Sequence, residues 1–212
     1  MNKKTVVRHA LLATLIALLA APVSQALDID FAGEFEFDSQ LEIFNFDVIE
    51  DSTVTVFSSS WLDHDDGLGF DPIIQIWDSL TQELIIEQNN GGVYGTAVSN
   101  GVTYSYGEWD VYFEQFLSAG TYIATITQYD NFAGGDFLFE DFNYDRDPEF
   151  TQQFGSEEFF NGADGTARTG DWAFHITNIE ETSAQAPVPE PATLTLLGLG
   201  LAGLAVRRRT QK

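Results

Sequence analysis

Apolar and polar residues alternate in short runs along the middle of the chain. Phe35 and Phe37 alternate with Glu34 and Glu36, and Phe44, Phe46 and Val48 alternate with Asn45 and Asp47. Val54 and Val56 alternate with Thr53 and Thr55, while Tyr122, Ala124 and Ile126 alternate with Ile123, Thr125 and Thr127. Trp172, Phe174 and Ile176 repeat the pattern against Ala173, His175 and Thr177. A period of two turns one side of an extended chain inward and the other outward, so each run predicts a half-buried antiparallel strand. Between the runs stand Asp66-Gly67, Asn89-Asn90-Gly91-Gly92, Asn100-Gly101, Ala119-Gly120, Gly134-Gly135 and Asn161-Gly162. These residues tolerate positive φ and read as turns. No convincing helical stripe interrupts the series. The expected fold class is all-β, an antiparallel β-sandwich or jelly roll. Residues 137–165, crowded with acids and phenylalanines, are expected to form a long loop or decorated hairpin.

The two ends read differently. Lys3, Lys4 and Arg8 precede an apolar run over 10–21, and Pro22 and Ser24-Gln25-Ala26 follow. This is the order of a secretory signal helix over 1–26, with cleavage expected after Ala26. The β-domain is expected over 27–180, followed by a Pro-rich linker over 181–191 that is stiffened by Pro187, Pro189 and Pro191. Residues 192–206 are apolar or small, and 207–212 form a basic tail opening with Arg207, Arg208 and Arg209. A helix over 192–206 would be about 22 Å long against a hydrocarbon core of roughly 30 Å, a marginal transmembrane span. Arginines stay cytoplasmic, which places the β-domain outside the inner membrane.

Charge narrows the choice of partners. Of the 33 acids only Glu190 falls outside residues 27–186, where Arg146 and Arg168 are the only basic residues. Two basic residues against 32 acids leave the domain near a net charge of −30. Such a surface repels nucleic acid and favours counter-ions or cationic groups. There is no cysteine, so disulfides, thiol catalysis and thiolate metal sites are excluded.

Val188-Pro189-Glu190-Pro191, a short apolar segment and the Arg207–Arg209 cluster together resemble the PEP-CTERM sorting domain. That resemblance implies processing by an exosortase, after export by the Sec machinery and signal peptidase. It also implies transient inner-membrane anchorage, followed by a cell-surface or extracellular location. The domain itself, through Phe70-Asp71-Pro72-Ile73, Trp77-Asp78-Ser79, Ala119-Gly120-Thr121-Tyr122, Gln128-Tyr129-Asp130-Asn131-Phe132 and Arg168-Thr169-Gly170-Asp171-Trp172, resembles a group of PEP-CTERM-bearing surface proteins. These are similar in turn to the β-sandwiches of the pre-peptidase C-terminal type. Where such proteins often carry paired aspartates after the Trp77-Asp78 strand, this chain has Asn89-Asn90.

Asp63, Asp65 and Asp66, with Asp71 close behind, form the densest set of oxygen ligands and make Ca²⁺ the candidate cofactor. The EF-hand register is broken, and the competing reading is a solvated acidic loop. A second set, Asp141, Asn143, Asp145, Asp147 and Glu149, is opposed by Arg146 and stiffened by Pro148. His64 and His175 lie far apart in sequence, and the alternation places His175 on the polar side, facing solvent. There is no Gly-x-Ser-x-Gly and no His-Glu-x-x-His, so the chain is expected not to be an enzyme. Trp77 and Trp172 fit strand cores. Trp61 and Trp109 fall at strand edges, where packing or stacking on a sugar are the alternatives. The expected function is that of an exported, exosortase-processed surface or exopolysaccharide-matrix protein with a structural role. A calcium-dependent carbohydrate-binding or adhesive module is the second reading, and a secreted hydrolase the third.

Overall fold

The structure is a computed structural model that describes residues 25–63 and 68–181. Ten strands run through these residues: β1 (Gln25–Glu34), β2 (Glu42–Val48), β3 (Ser52–Ser58), β4 (Pro72–Asp78), β5 (Leu84–Gln88), β6 (Gly95–Ser99), β7 (Val102–Tyr106), β8 (Tyr112–Leu117), β9 (Gly120–Gln128) and β10 (Asp171–Glu181). They form two four-stranded sheets, ordered β1-β10-β3-β8 and β2-β9-β4-β5, and a separate β6-β7 hairpin. Every pairing is antiparallel. The fold is an all-β sandwich. Residues 1–24 of the expected signal segment, 182–191 of the linker and the 192–206 segment lie outside the described residues, as do Asp65 and Asp66, whereas Gln25 and Ala26 stand in β1 and pair with Glu181 and Glu180 of β10. Among the described residues no helix is long and apolar enough to cross a membrane.

The alternating runs supply the layer between the sheets. Val54 and Val56 of β3, Trp172, Phe174 and Ile176 of β10, Ile74 and Ile76 of β4, and Ala124 and Ile126 of β9 all pack in one cluster. β10 keeps its apolar side inward beyond Ile176 by a change of phase. The register against β1 shifts between Leu27 and Ile29, Asn178 adopts φ 64°, and Ile179 rather than Asn178 enters the core. Asparagine is one of the few residues with a side chain that enters the left-handed region readily.

One predicted strand is misplaced. Phe35 and Phe37 do not extend β1, which ends at Glu34 because its partner there, Asp171, is the first residue of β10. Beyond that point the ladder has nothing to pair with. Phe35 turns into the core and its amide donates to Gly170 O at 2.8 Å.

Neither sheet is half-buried in the simple sense that alternation implies. Residues 102–106 fold back on 95–99 through Asn100 and Gly101, at φ 48° and 77°. Both angles are positive, as a two-residue type I′ turn requires, which is why this Asn-Gly pair is a hairpin signal. The hairpin's Tyr104 and Tyr106 pack on Phe57 of the first sheet. The second sheet is covered by the chain after β9, where Phe142 and partly buried Leu138 and Ala133 pack with Trp77 and Ile123. The irregular segment expected over 137–165 is present. It is organised by the isolated bridges Ala133↔Phe142 and Asn161↔Ala167 and a single 3-10 turn, Phe150–Gln153.

Candidate functional site

The densest buried charge gathers where β3 ends, β4 begins and the chain approaches β10. Ser58 closes β3, and its hydroxyl donates to Asp110 Oδ1 at 2.8 Å. The Trp61 amide donates to the same oxygen at 3.0 Å, and the Gly107 amide donates to Oδ2 at 2.9 Å. Asp110 is wholly buried. Burial raises its pKa above the ordinary carboxylate range, although the amides of Gly107 and Trp61 and the Ser58 hydroxyl oppose that shift. It therefore acts as a clamp that ties its own 107–110 loop to the end of β3 and the chain after it.

Arg168 completes the corner. Its Nε donates to Gly69 O at 2.8 Å and one terminal nitrogen donates to Trp61 O at 2.7 Å. Its guanidinium carbon lies 3.6 Å from the Trp61 ring centroid. Trp109 packs on Trp61 with centroids 5.7 Å apart and planes tilted by 40°. The two edge tryptophans thus form one aromatic corner with a cation on it. Burial lowers the Arg168 pKa, and the negative charges of Asp164, Asp110 and Asp71 hold it up.

Asp71 is the unusual member. It is 3% exposed, and neither carboxylate oxygen has a hydrogen-bond partner. Only its backbone carbonyl is engaged, by the Tyr129 amide at 2.8 Å. Burial, reinforced by the Asp110 charge and opposed by Arg168, pushes its pKa up to about 8. A buried carboxyl with two unpartnered oxygens is a costly feature to retain.

The residues suggested for Ca²⁺ are only partly brought into view. Asp63 is exposed, and its Oδ2 accepts from the Ser105 amide at 2.7 Å, tying the β6-β7 hairpin to the chain after β3. Asp71 is buried as described. Among the described residues no group of three His, Asp or Glu side chains stands close enough to hold a metal ion. In the second acidic set, Arg146 lies 3.4 Å from Asp141. Asp145 accepts from the Phe142 amide and Asp147 from the Glu149 amide. Those carboxylates cap their own loop.

His175 departs from the expectation that it faces solvent. It does lie on the outer side of β10, but the hairpin covers it and leaves it 2% exposed. Tyr104 packs on its ring at 4.1 Å and Phe57 at 4.5 Å. Nδ1 donates to Asp30 Oδ1 at 2.7 Å, and Nε2 lies 3.1 Å from Ser59 Oγ. Asp30 also accepts from Ser99 Oγ at 2.5 Å and Asn100 Nδ2 at 2.9 Å. Burial would raise the Asp30 pKa, but its bonds from Ser99, Asn100 and His175 outweigh this and leave it lowered. Serine, histidine and aspartate stand here in the order of a nucleophile, base and orienting group. Ser59 is nonetheless wholly buried, and through Asp30 and His175 the array fastens the hairpin to the sheet. No spacing in the sequence announces it, because the three residues come from different strands and loops that meet only in the fold.

The tail decides what surrounds this domain. Residues 187–209 match the PEP-CTERM protein-sorting motif. The chain carries a PEP-CTERM sorting tail. It is accordingly exported, held by a C-terminal membrane anchor and later processed, with exosortase as its processing partner. No curated protein matches the chain. A solved structure similar to it is the pre-peptidase C-terminal domain of a collagenase from Bacillus anthracis, at 12% identity and a TM-score of 0.32. That likeness covers 71% of this chain and 87% of the other.

Proposed function

We propose that this PEP-CTERM protein is a non-catalytic component of the cell surface or exopolysaccharide matrix, whose β-sandwich is the delivered cargo. The observation that carries this reading is the sorting tail joined to a domain near −30 in charge. A polyanionic surface of this density associates with a matrix through divalent cations or cationic groups, and salt weakens that association. Comparing the full chain with a chain ending at residue 186 tests it. The full chain is expected in the surface and matrix fraction, from which chelator or salt releases it, and the shortened chain, which lacks the sorting signal, is not delivered there. Identical distribution of both would overturn the proposal.

The two unpartnered oxygens of Asp71 favour a second reading, a calcium-dependent carbohydrate-binding or adhesive module. Hard cations take oxygen ligands, and binding requires an ionised carboxylate. With a pKa near 8, Asp71 would release a proton as Ca²⁺ bound. Calorimetry in buffers of different ionisation heat is then expected to show calcium binding with proton release, tighter at pH 8.5 than at pH 6. Absence of binding heat and an unchanged melting temperature in millimolar Ca²⁺ would count against it.

A further inference from the structure

The second sheet buries a polar pair where an apolar one would be expected. Gln75 of β4 and Thr125 of β9 are register partners on the two central strands, and both are wholly inaccessible to solvent. The Thr125 hydroxyl donates to Gln75 Oε1 at 2.6 Å, while the Trp77 indole N–H donates to Thr125 Oγ1 at 2.9 Å and fixes the hydroxyl's direction. On the other side of the amide, Gln75 Nε2 donates to Glu87 Oε2 on β5 at 3.1 Å. The Ala133 amide donates to that same carboxylate oxygen at 2.8 Å and holds it in place. A hydroxyl thus sits against one side of a carboxamide, with a carboxylate bonded to the nitrogen that would depart.

We propose that Gln75 and Thr125 form an internal ester cross-link. Thr125 Oγ1 adds to Gln75 Cδ, so an Oγ1–Cδ bond forms and the Cδ–Nε2 bond breaks. As Oγ1 adds, its proton passes to Gln75 Oε1, to which it is already donated, and ends on Nε2, which leaves as ammonia while bonded to Glu87. Nothing is oxidised or reduced, and no co-reactant is needed. Three physical conditions favour the step. The partners are held together by the sheet, and for well-oriented groups this proximity is equivalent to effective concentrations on the order of 10⁵ M or more. Ammonia escapes to bulk water, drawing the exchange toward the ester. Burial then keeps water from the product. In an exported domain without cysteine, such a bond would tie β4 to β9 as a disulfide does elsewhere.

The test is the mass of the purified exported protein under denaturing conditions. A deficit of about 17 Da, the mass of ammonia, is expected. Protease digestion and fragmentation should then yield one branched peptide joining the β4 and β9 segments. Thr125→Val should restore the full mass, and Glu87→Gln should leave at least half the molecules unlinked. Full mass in the wild-type chain, with linear peptides from both strands, would overturn the proposal even if neither variant folds. A deficit that survives Thr125→Val would also overturn it, because an Asn-Gly succinimide loses the same ammonia.

Discussion

Asp71→Asn is expected to leave stability nearly unchanged at pH 4 and to raise it strongly at pH 8. The folded protein holds the Asp71 proton up to about pH 8, whereas an unfolded aspartate releases it near 3.8. Between these values the folded state binds the extra proton, so stability is fully present below the lower value and is lost as pH rises through the upper one. The interval corresponds to about four decades in the folding equilibrium, or on the order of 5 kcal/mol. Asparagine keeps the shape and cannot ionise. For a domain of this size the gain at pH 8 amounts to roughly 10 °C in melting temperature. Asp110 and Asp38, whose pKa values burial also raises, shift the background in the same direction in both proteins. The informative quantity is therefore the difference between the two melting curves from pH 5 to pH 8. Parallel curves would show that Asp71 is solvated or paired in solution.

Asp38→Ala is expected to cost about 3 kcal/mol or more and to loosen the segment around the 3-10 turn. Asp38 is wholly buried, and its Oδ2 accepts from the Thr151 amide at 2.9 Å and the Thr151 hydroxyl at 2.5 Å. Its Oδ1 accepts from the Phe160 amide at 2.7 Å. Alanine would leave those donors buried and unpaired, which costs more than the net value of the bonds themselves. Phe150, stacked on Tyr144 with centroids 4.4 Å apart, and Phe160, packed on Phe70, would lose their anchorage. The urea midpoint reads the global loss. Hydrogen exchange at the Thr151 and Phe160 amides, expected to accelerate more than at β9, reads the local one. A change below about 1 kcal/mol with unaltered exchange would show that the segment is held by its aromatic contacts alone.

The sandwich was legible because its strands obey a local rule. The alternations in β2, β3, β9 and β10 reflect which side each strand turns toward the core, and the Asn100-Gly101 turn reflects a backbone requirement. What covers the outer faces was not legible, since covering is a long-range event. His175 sits on the polar side of its strand, yet residues some 70 positions earlier in the chain close over it, and Asp30 meets it from 145 positions away. Thr125 and Thr127 read as outward-facing polar residues for the same reason and are in fact buried. The acidic site was half legible. Its carboxylates are evident in composition, but which of them would be partnerless depended on where Ser58, Trp61 and Gly107 spend their donors. They spend them on Asp110 and leave Asp71 without any. The sorting tail, by contrast, is a linear signal read by machinery outside the fold, so sequence alone carries it.

The C-terminus of the exported protein reports whether that tail is processed. Mass analysis of protein recovered from the cell surface or medium of the producing cells should find an N-terminus at Leu27. It should also find a C-terminus at or near Pro189–Pro191, with 192–212 gone. A surface population that retains Arg207–Arg209 and ends at Lys212 would contradict processing, and leave an ordinary anchored protein in its place.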